Sequence, residues 1–436
     1  MHRRTIRITA AAAVGIIGSV ALSACSGGGG ASVDTEFDAD STAEISFSWW
    51  GNDDRADRFE QAIDLFNEEY PNVEVVRNFT SWGDYWTARN TEAAGRSLPD
   101  VVMMDAGYLA EYADKGLFFD MSTLRDSLLP LDGFDDAVLG SGQIDDQLVG
   151  IPLGTNAWSM MYNKDVLDKL GIDYPTGDMD ADDLDAYIRE VTAAGGSLDP
   201  KIYGADDPHG GLPSFIYYRM QTGDRVFDDD GGPAFTEQDV IDYLDETADL
   251  RDSGQLYPVE RSVALAPVGG FLSGETALWF NFSTTVAQAM SDAGTDNIGL
   301  VAPPKVNGSD TRVLAPKPSM LLSIAQNSEQ PAAAAAFVEF MATSPEVSKI
   351  FGTSLGAPPT ADGRAAVASS PSSDADLGYL ESVQDELTAS YPILPPGYGT
   401  IEAKWGELQE QLRYGDITPE QFATELFSEM SLSLGA

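Results

Sequence analysis

From Ile45 to Gly116 the sequence alternates short apolar runs with amphipathic helical ones, and no other feature constrains the fold as much. Ile45-Ser46-Phe47-Ser48-Trp49 alternates apolar and polar residues, a strand pattern. Asn52, Asp53 or Asp54 can cap the helix that follows. In that helix Phe59, Ala62, Ile63, Phe66 and Tyr70 share one face, and Pro71 marks its end. "VEVVRNF" predicts a second strand, "SWGDYWTARNTEAA" an aromatic-rich loop and helix, and "VVMMD" a short apolar third strand. A helix with Leu109 and Tyr112 then stops at Gly116. β-α-β-α-β-α implies a parallel sheet with helices on its faces.

The same grammar continues. Short strands are predicted around Gly150 and at Trp158–Tyr162, then a helix from near Asp165 to just before Gly171. Later strands fall at Ala277–Phe280, "NIGLVAPP" and "MLLSIAQNS", with an Ala-rich helix after the last. The C-terminal stretch is helical in pattern, interrupted by "PILPPGYG".

The first residues read as an export signal rather than as fold. Arg3, Arg4 and Arg7 precede a short apolar run, Ile8 to Leu22, and then Leu22-Ser23-Ala24-Cys25. That tetrapeptide resembles the lipobox of bacterial lipoproteins, in which Cys25 would carry the lipid. Two acyl chains anchor a protein stably where one does not. The Gly/Ser run after Cys25 and the acidic stretch to about Ala43 read as a solvated tether. Cys25 is the single cysteine, so no disulfide can form within the chain, and stability must come from a large core.

The charge is extreme, 25 Lys+Arg against 70 Asp+Glu, which argues against nucleic acid as a partner. Catalytic motifs are scarce. Past the signal one histidine remains, His209; there is no Gly-Lys phosphate loop and no Gly-x-Ser-x-Gly elbow. The acidic runs lack the spacing of a calcium loop. No cofactor or metal is expected.

Open α/β sheets bind ligands beyond the carboxyl ends of their strands. Here those loops are Trp50–Asp53, Thr80–Trp86, Asp105–Tyr108, Gly154–Trp158 and Phe280–Ser283, which are rich in aromatic and amide residues. Indoles match the C–H face of a sugar, and Asn, Asp and Lys match its hydroxyls. By alternation along the strand, Trp49 belongs to the core and Trp50 serves as a platform.

Five stretches, "SFSWWGNDDRADRFEQAIDLFNEEYPNVEV", "LPDVVMMDAGYLAEYADKGLFFDM", "LVGIPLGTNAWSMMYNKDVLDKLGI", "FLSGETALWFN" and "APKPSMLLSIAQNSEQPAAAAAFVEFM", resemble in this order the carbohydrate-type, maltose-binding-protein-like solute-binding proteins of ABC importers. The resemblance spans residues 44–436. It implies an α/β, two-lobed periplasmic-binding-protein-like (type II) fold, with a hinge and a ligand cleft between the lobes. By position, 1–24 would be the signal and 25–43 the lipidated tether. The N-lobe would be 44–153 plus 297–345, and the C-lobe 154–296 plus 346–436.

The residues assigned to the ligand are Trp50, Asn52, Trp82, Asp84, Asp105, Tyr108, Asn156, Trp158, Trp279, Asn281, Lys317 and Ser319, with His209 and Tyr217 as lesser candidates. The implied protein is a monomeric, non-enzymatic receptor on the outer face of the cell membrane of a Gram-positive, GC-rich bacterium. It would hold a sugar, most naturally an oligosaccharide, and deliver it to ABC permease subunits. A secreted glycoside hydrolase or lyase, and a receptor for a polyol, glycerophosphodiester or peptide, are the rival readings.

Overall fold

The structure, a computed structural model, describes residues 37–434 apart from residues 39, 126, 132, 135, 229, 230, 267, 307, 308 and 310. The signal, Cys25 and most of the tether lie outside the described residues. No helix among the described residues is long and apolar enough to cross a membrane.

Two main sheets organise the chain. The first is ordered β2-β1-β3-β11-β6, from β1 (Ala43–Trp50), β2 (Val73–Thr80), β3 (Val101–Met104), β6 (Ile151–Asn156) and β11 (Lys317–Ile324). A small hairpin, β4 (Gln143–Ile144) and β5 (Gln147–Leu148), stands apart. The second sheet is ordered β10-β7-β9-β8, from β7 (Trp158–Asn163), β8 (Tyr203–Ala205), β9 (Thr276–Phe282) and β10 (Ile298–Val301).

β1, β2 and β3 are parallel, as the sequence predicts, with α1 (Asp53–Glu69), α2 (Trp82–Gly95) and α3 (Ala106–Asp114) following each in turn. Neither sheet is wholly parallel, because β11 enters the first antiparallel to both β3 and β6, and β7 runs antiparallel to β9 and β10.

Alternation along β1 decides which helix covers which face. Ile45, Phe47 and Trp49 are buried on one side, where Trp49 lies 5.2 Å from Phe59 of α1 and Phe47 lies 5.1 Å from Phe337. Trp49 is therefore core, as expected. Trp50 turns to the other side, toward α2. Phe337 belongs to the Ala-rich helix Pro331–Thr343, whose Ala332 to Ala336 are all buried. Side chains this small let the helix axis approach the sheet closely.

The direction of the strands sets the position of the site. The C-terminal ends of β1, β2, β3 and β6 share one edge of the first sheet with the N-terminal end of β11, which runs the other way. A single residue, Ala157, separates β6 from β7 of the second sheet. There Trp158 pairs with Phe282, so the crossover meets the C-terminal end of β9.

The expected lobe boundaries differ from the strand pairing and packing at three places. Ile298–Val301, placed with the first lobe by the boundary at 297, hydrogen-bonds to β7 in the second sheet. The segment after 345 also stays with the first sheet at its start: Phe351 meets Phe59 of α1 edge-on at 4.8 Å, and Thr155 bridges to Ala357. The chain leaves for the second sheet only later, where the helix Pro371–Ser382 packs on β10. The first boundary, between 153 and 154, precedes the actual crossover at Ala157 by three residues.

Candidate functional site

The residue spacing in α2 builds an aromatic rim at the strand ends. Trp82, Tyr85 and Trp86, at i, i+3 and i+4, share a face of the helix and close around Trp50. Ring centroids lie 5.0 Å from Trp50 to Trp82, 5.2 Å to Tyr85 and 5.7 Å to Trp86. Trp86 stacks in turn on Tyr108 of α3, at 3.6 Å and 13° between planes.

Beneath the rim, the Tyr85 hydroxyl donates to the Met103 carbonyl at 2.7 Å. The buried Arg89 donates to the Ser48 hydroxyl and to Glu92 at 2.8 Å. These bonds hold α2 against β1 and β3. Trp50 is only 6% exposed, whereas Trp82 is 47% exposed. Trp82 is therefore the indole that this rim presents to solvent, and Trp50 supports it from below.

The polar residues of these loops divide by role. Asn52 caps α1, accepting from the Arg55 N–H at 3.0 Å. Asp84 accepts from the Ser81 hydroxyl at 2.9 Å in the first turn of α2. Asp105 caps α3, its Oδ1 accepting from the Gly107 N–H at 2.8 Å. All three make local bonds that stabilise helix starts. Asn52 and Asp84 are exposed, and Asp105 is half-buried beside Tyr108. Burial, and then the Asp105 charge, push the Tyr108 hydroxyl above its ordinary range.

Lys317 opens β11 opposite Asn156, the last residue of β6. Its Nζ lies 5.0 Å from the Phe282 ring and 5.8 Å from the Tyr391 ring. Among the described residues no carboxylate lies within ion-pair distance of it. Asn156 is buried; its amide donates to the Thr284 hydroxyl at 3.4 Å, and its Oδ1 has no hydrogen-bond partner.

The other candidates also make contacts within the fold. Trp158 stacks on Tyr217 at 5.7 Å and meets Phe282 edge-on at 4.9 Å, in the core beneath the crossover. The Ser319 hydroxyl donates to the Leu355 carbonyl, tying β11 to a neighbouring segment. Trp279 packs on Phe271 at 5.6 Å. Asn281 accepts from the Phe282 N–H at 2.8 Å through its side chain and from the Ser159 hydroxyl at 2.7 Å through its carbonyl. His209 stacks on Tyr243 at 3.9 Å, with Nδ1 2.7 Å from the Tyr243 carbonyl; burial lowers its pKa. The Tyr217 hydroxyl donates to the Ala315 carbonyl at 3.1 Å.

The second wall was missed by sequence reasoning. Tyr391, Tyr398 and Glu402 come from the segment "YPILPPGYGTIE", read from sequence only as a break in a helical pattern. Loss of surrounding water pushes the Glu402 carboxyl up; Lys317 pulls it back, and the Asp105 charge pushes it further up. Asp105 also raises Tyr391 and Tyr398, after burial. The start of β11 meets this segment, with Lys317 Nζ 5.8 Å from the Tyr391 ring. Alongside runs a cavity of about 740 Å³, lined by Ala110 and Asp114 of α3 on one side and by Ile393, Pro395 and Pro396 on the other. A volume of that order suits a small-molecule ligand. A signal was available in the sequence: two tyrosines flanking a proline-rich break that interrupts a helix.

A second cavity, of about 550 Å³, lies within the second-sheet half and takes in Trp158 and Trp279. Among the described residues no cluster of three or more His, Cys, Asp or Glu is placed to hold a metal ion.

Comparison with known proteins agrees with this architecture. An extracellular solute-binding protein of family 1 from Alicyclobacillus acidocaldarius superposes with a TM-score of 0.73 at 24% identity, covering 91% of this chain and 99% of its own. An ABC substrate-binding protein of Listeria monocytogenes, solved with cycloalternan, gives 0.72 at 20% identity, over 91% and 100%. A periplasmic oligogalacturonide-binding protein of Yersinia enterocolitica gives 0.72 at 19%, over 89% and 100%. These likenesses establish the two-lobed type II fold. A curated binding protein of Brucella abortus is 21% identical over 257 residues, an alignment spanning 56% of this chain and 59% of the relative's length. The family profile of bacterial extracellular solute-binding proteins matches residues 61–378, well over half of the chain, and the chain belongs to that family.

Proposed function

We propose that this chain is the receptor of an ABC importer, lipid-anchored through Cys25, that captures an oligosaccharide between its lobes and presents it to the membrane permease. The lobes are 43–156 with 317–366, and 158–301 with 371–434. The observation that carries the reading is the rim at the strand ends: an exposed Trp82 braced by Trp50 and Trp86, with Tyr108 stacked behind and Asp105 beside it. An exposed indole braced by three aromatic rings is a rigid apolar plate, and a neighbouring carboxylate accepts from sugar hydroxyls. Lys317 and Glu402 supply a donor and an acceptor from beyond it. Similar folds solved with cycloalternan and with digalacturonic acid support a glycan ligand. Hinge closure around the ligand would bring the two walls together.

The rival reading, a secreted glycoside hydrolase, needs a pair of carboxylates placed on either side of the bound glycosidic bond. A thermal-shift screen of the purified chain against mono- and oligosaccharides separates the two. A ligand at a hundred times its Kd adds about 2.7 kcal/mol of stability. Stabilisation by one glycan family, recovered unchanged, is the expected result. Appearance of cleaved product would replace the receptor by an enzyme, and stabilisation only by non-sugar solutes would move the ligand class.

A further inference from the structure

The strands that cross between the two sheets have a front and a back. Cross-strand partners point to one side of a sheet, and neighbours in sequence point to opposite sides. Asn156 and Lys317 are partners, and the Lys317 ammonium reaches the Phe282 and Tyr391 rings, on the side of the candidate site. Thr155 and Pro316 therefore face away from it, and both line a separate cavity of about 600 Å³. That cavity has one wall from each half of the molecule. Arg364 comes from the helix Ala361–Ala366, which packs on the helix Pro345–Phe351 beside α1. Opposite, Glu381 belongs to the helix Pro371–Ser382 and Asp385 to the turn Gln384–Glu386, on the second-sheet side. These three are the charged residues of the cavity wall. They are not ion-paired here: Arg364 donates through one nitrogen to the Pro358 and Pro359 carbonyls, each at 3.1 Å, and both carboxylates are exposed. Glu386, the next acid along, is committed to Arg312 at 2.8 Å.

Lobes that rotate about crossing strands move in opposite senses in front of those strands and behind them. Opening the cleft in front narrows the cavity behind and carries Arg364 toward Glu381 and Asp385. Closing the cleft draws them apart. We propose that Arg364, with Glu381 and Asp385, is a charge catch behind the hinge that favours the open cleft and so sets how readily the cleft closes. A partly exposed ion pair shifts such an equilibrium by up to about fivefold. The apparent affinity for whatever the cleft holds falls by no more than the same factor. The catch depends on the hinge alone, so it is independent of the ligand class proposed above.

The test is small-angle X-ray scattering of the purified chain without added solute, at low and at high salt. The native chain is compared with E381Q/D385N, which removes the attraction, and with E381K/D385K, which turns it into repulsion. Both positions are exposed, so the fold tolerates the changes. E44K/E68K makes the same change in net charge at exposed sites in β1 and α1, away from the cavity. The expected result is a smaller radius of gyration for E381Q/D385N than for the native chain, and a smaller one again for E381K/D385K. Salt screens the catch, so relative to E44K/E68K the native chain should contract as salt rises and E381K/D385K should expand. Native-like radii in both cavity variants, an expansion in either at low salt, or a contraction that E44K/E68K reproduces overturns the proposal. None of these outcomes bears on whether the cleft holds a glycan, which the thermal-shift screen decides separately.

Discussion

Trp50 and Trp82 meet edge to face, with ring centroids 5.0 Å apart and planes at 80°, yet one is buried and the other half open to solvent. The two indoles should therefore fail differently. Trp82→Ala should cost on the order of 2 kcal/mol or more of ligand binding with little loss of stability, because the ring covers little core. Trp50→Ala should cost about 3–5 kcal/mol of stability, as removal of a buried aromatic does. Calorimetric titration and denaturant unfolding of both variants check the split. Equal effects of the two on stability would mean that Trp82 is part of the core.

Asn52 and its helix give a sharper discrimination. The side chain is committed to the Arg55 N–H at 3.0 Å. Asn52→Ala should lose about 1 kcal/mol of stability and Asn52→Asp almost none, since both Asn and Asp cap well. Glycan affinity should follow neither substitution. A drop in affinity with Asn52→Asp at unchanged stability would return this residue to the ligand.

The site could be read from the sequence only where short-range pattern carried it. β1 to α3 repeats one unit, and each aromatic at a strand end is visible in its own loop. Trp49 and Trp50 were correctly sent to opposite faces, because that needs only a period of two. What alternation could not say is what lies over Trp50; the ring is covered by α2, a tertiary contact. The entry of β11 between β3 and β6 is likewise non-local, joining Lys317 to Asn156 across 160 residues of sequence. Tyr391 escapes because its proline-rich segment has no regular period, and Tyr398 and Glu402 because they open the helix just past that break. The boundary at 297 failed because "NIGLVAPP" is an apolar strand that suits either sheet, and only its pairing with β7 decides.

Gly154 marks a close approach beside the crossover. A Cβ at this position would lie 2.2 Å from the Leu355 carbonyl oxygen and 3.0 Å from the Gly356 Cα, both backbone atoms. Neither can swing aside as a side chain would. Gly154→Ala should push the 354–357 segment off β6 and break the Thr155 to Ala357 pairing, at a cost of about 1–3 kcal/mol. Amide hydrogen exchange at Thr155 and Ala357, which bond to each other at 2.9 Å in both directions, reads this locally. Unchanged protection in the variant would show that the two segments have room to spare.

Asp376 makes the stability of the fold depend on pH. It lies fully buried in the helix Pro371–Ser382, and burial pushes its carboxyl up to about 7, with the Ser283 hydroxyl offsetting a small part. The unfolded chain holds this proton only below the usual carboxylate value near 3.8. Below that pH both states are protonated and the group is neutral in effect. Between there and about 7 the folded state alone keeps the proton, so each unit of rising pH costs about 1.4 kcal/mol, on the order of 4 kcal/mol in all. Above 7 the loss is complete and the curve flattens. Asp376→Asn keeps the shape and removes the titration. Denaturant unfolding at pH 5 and pH 8 should show the native chain losing stability relative to the variant, by a few kcal/mol, as the pH rises. Parallel behaviour of the two chains would place the Asp376 titration outside that window.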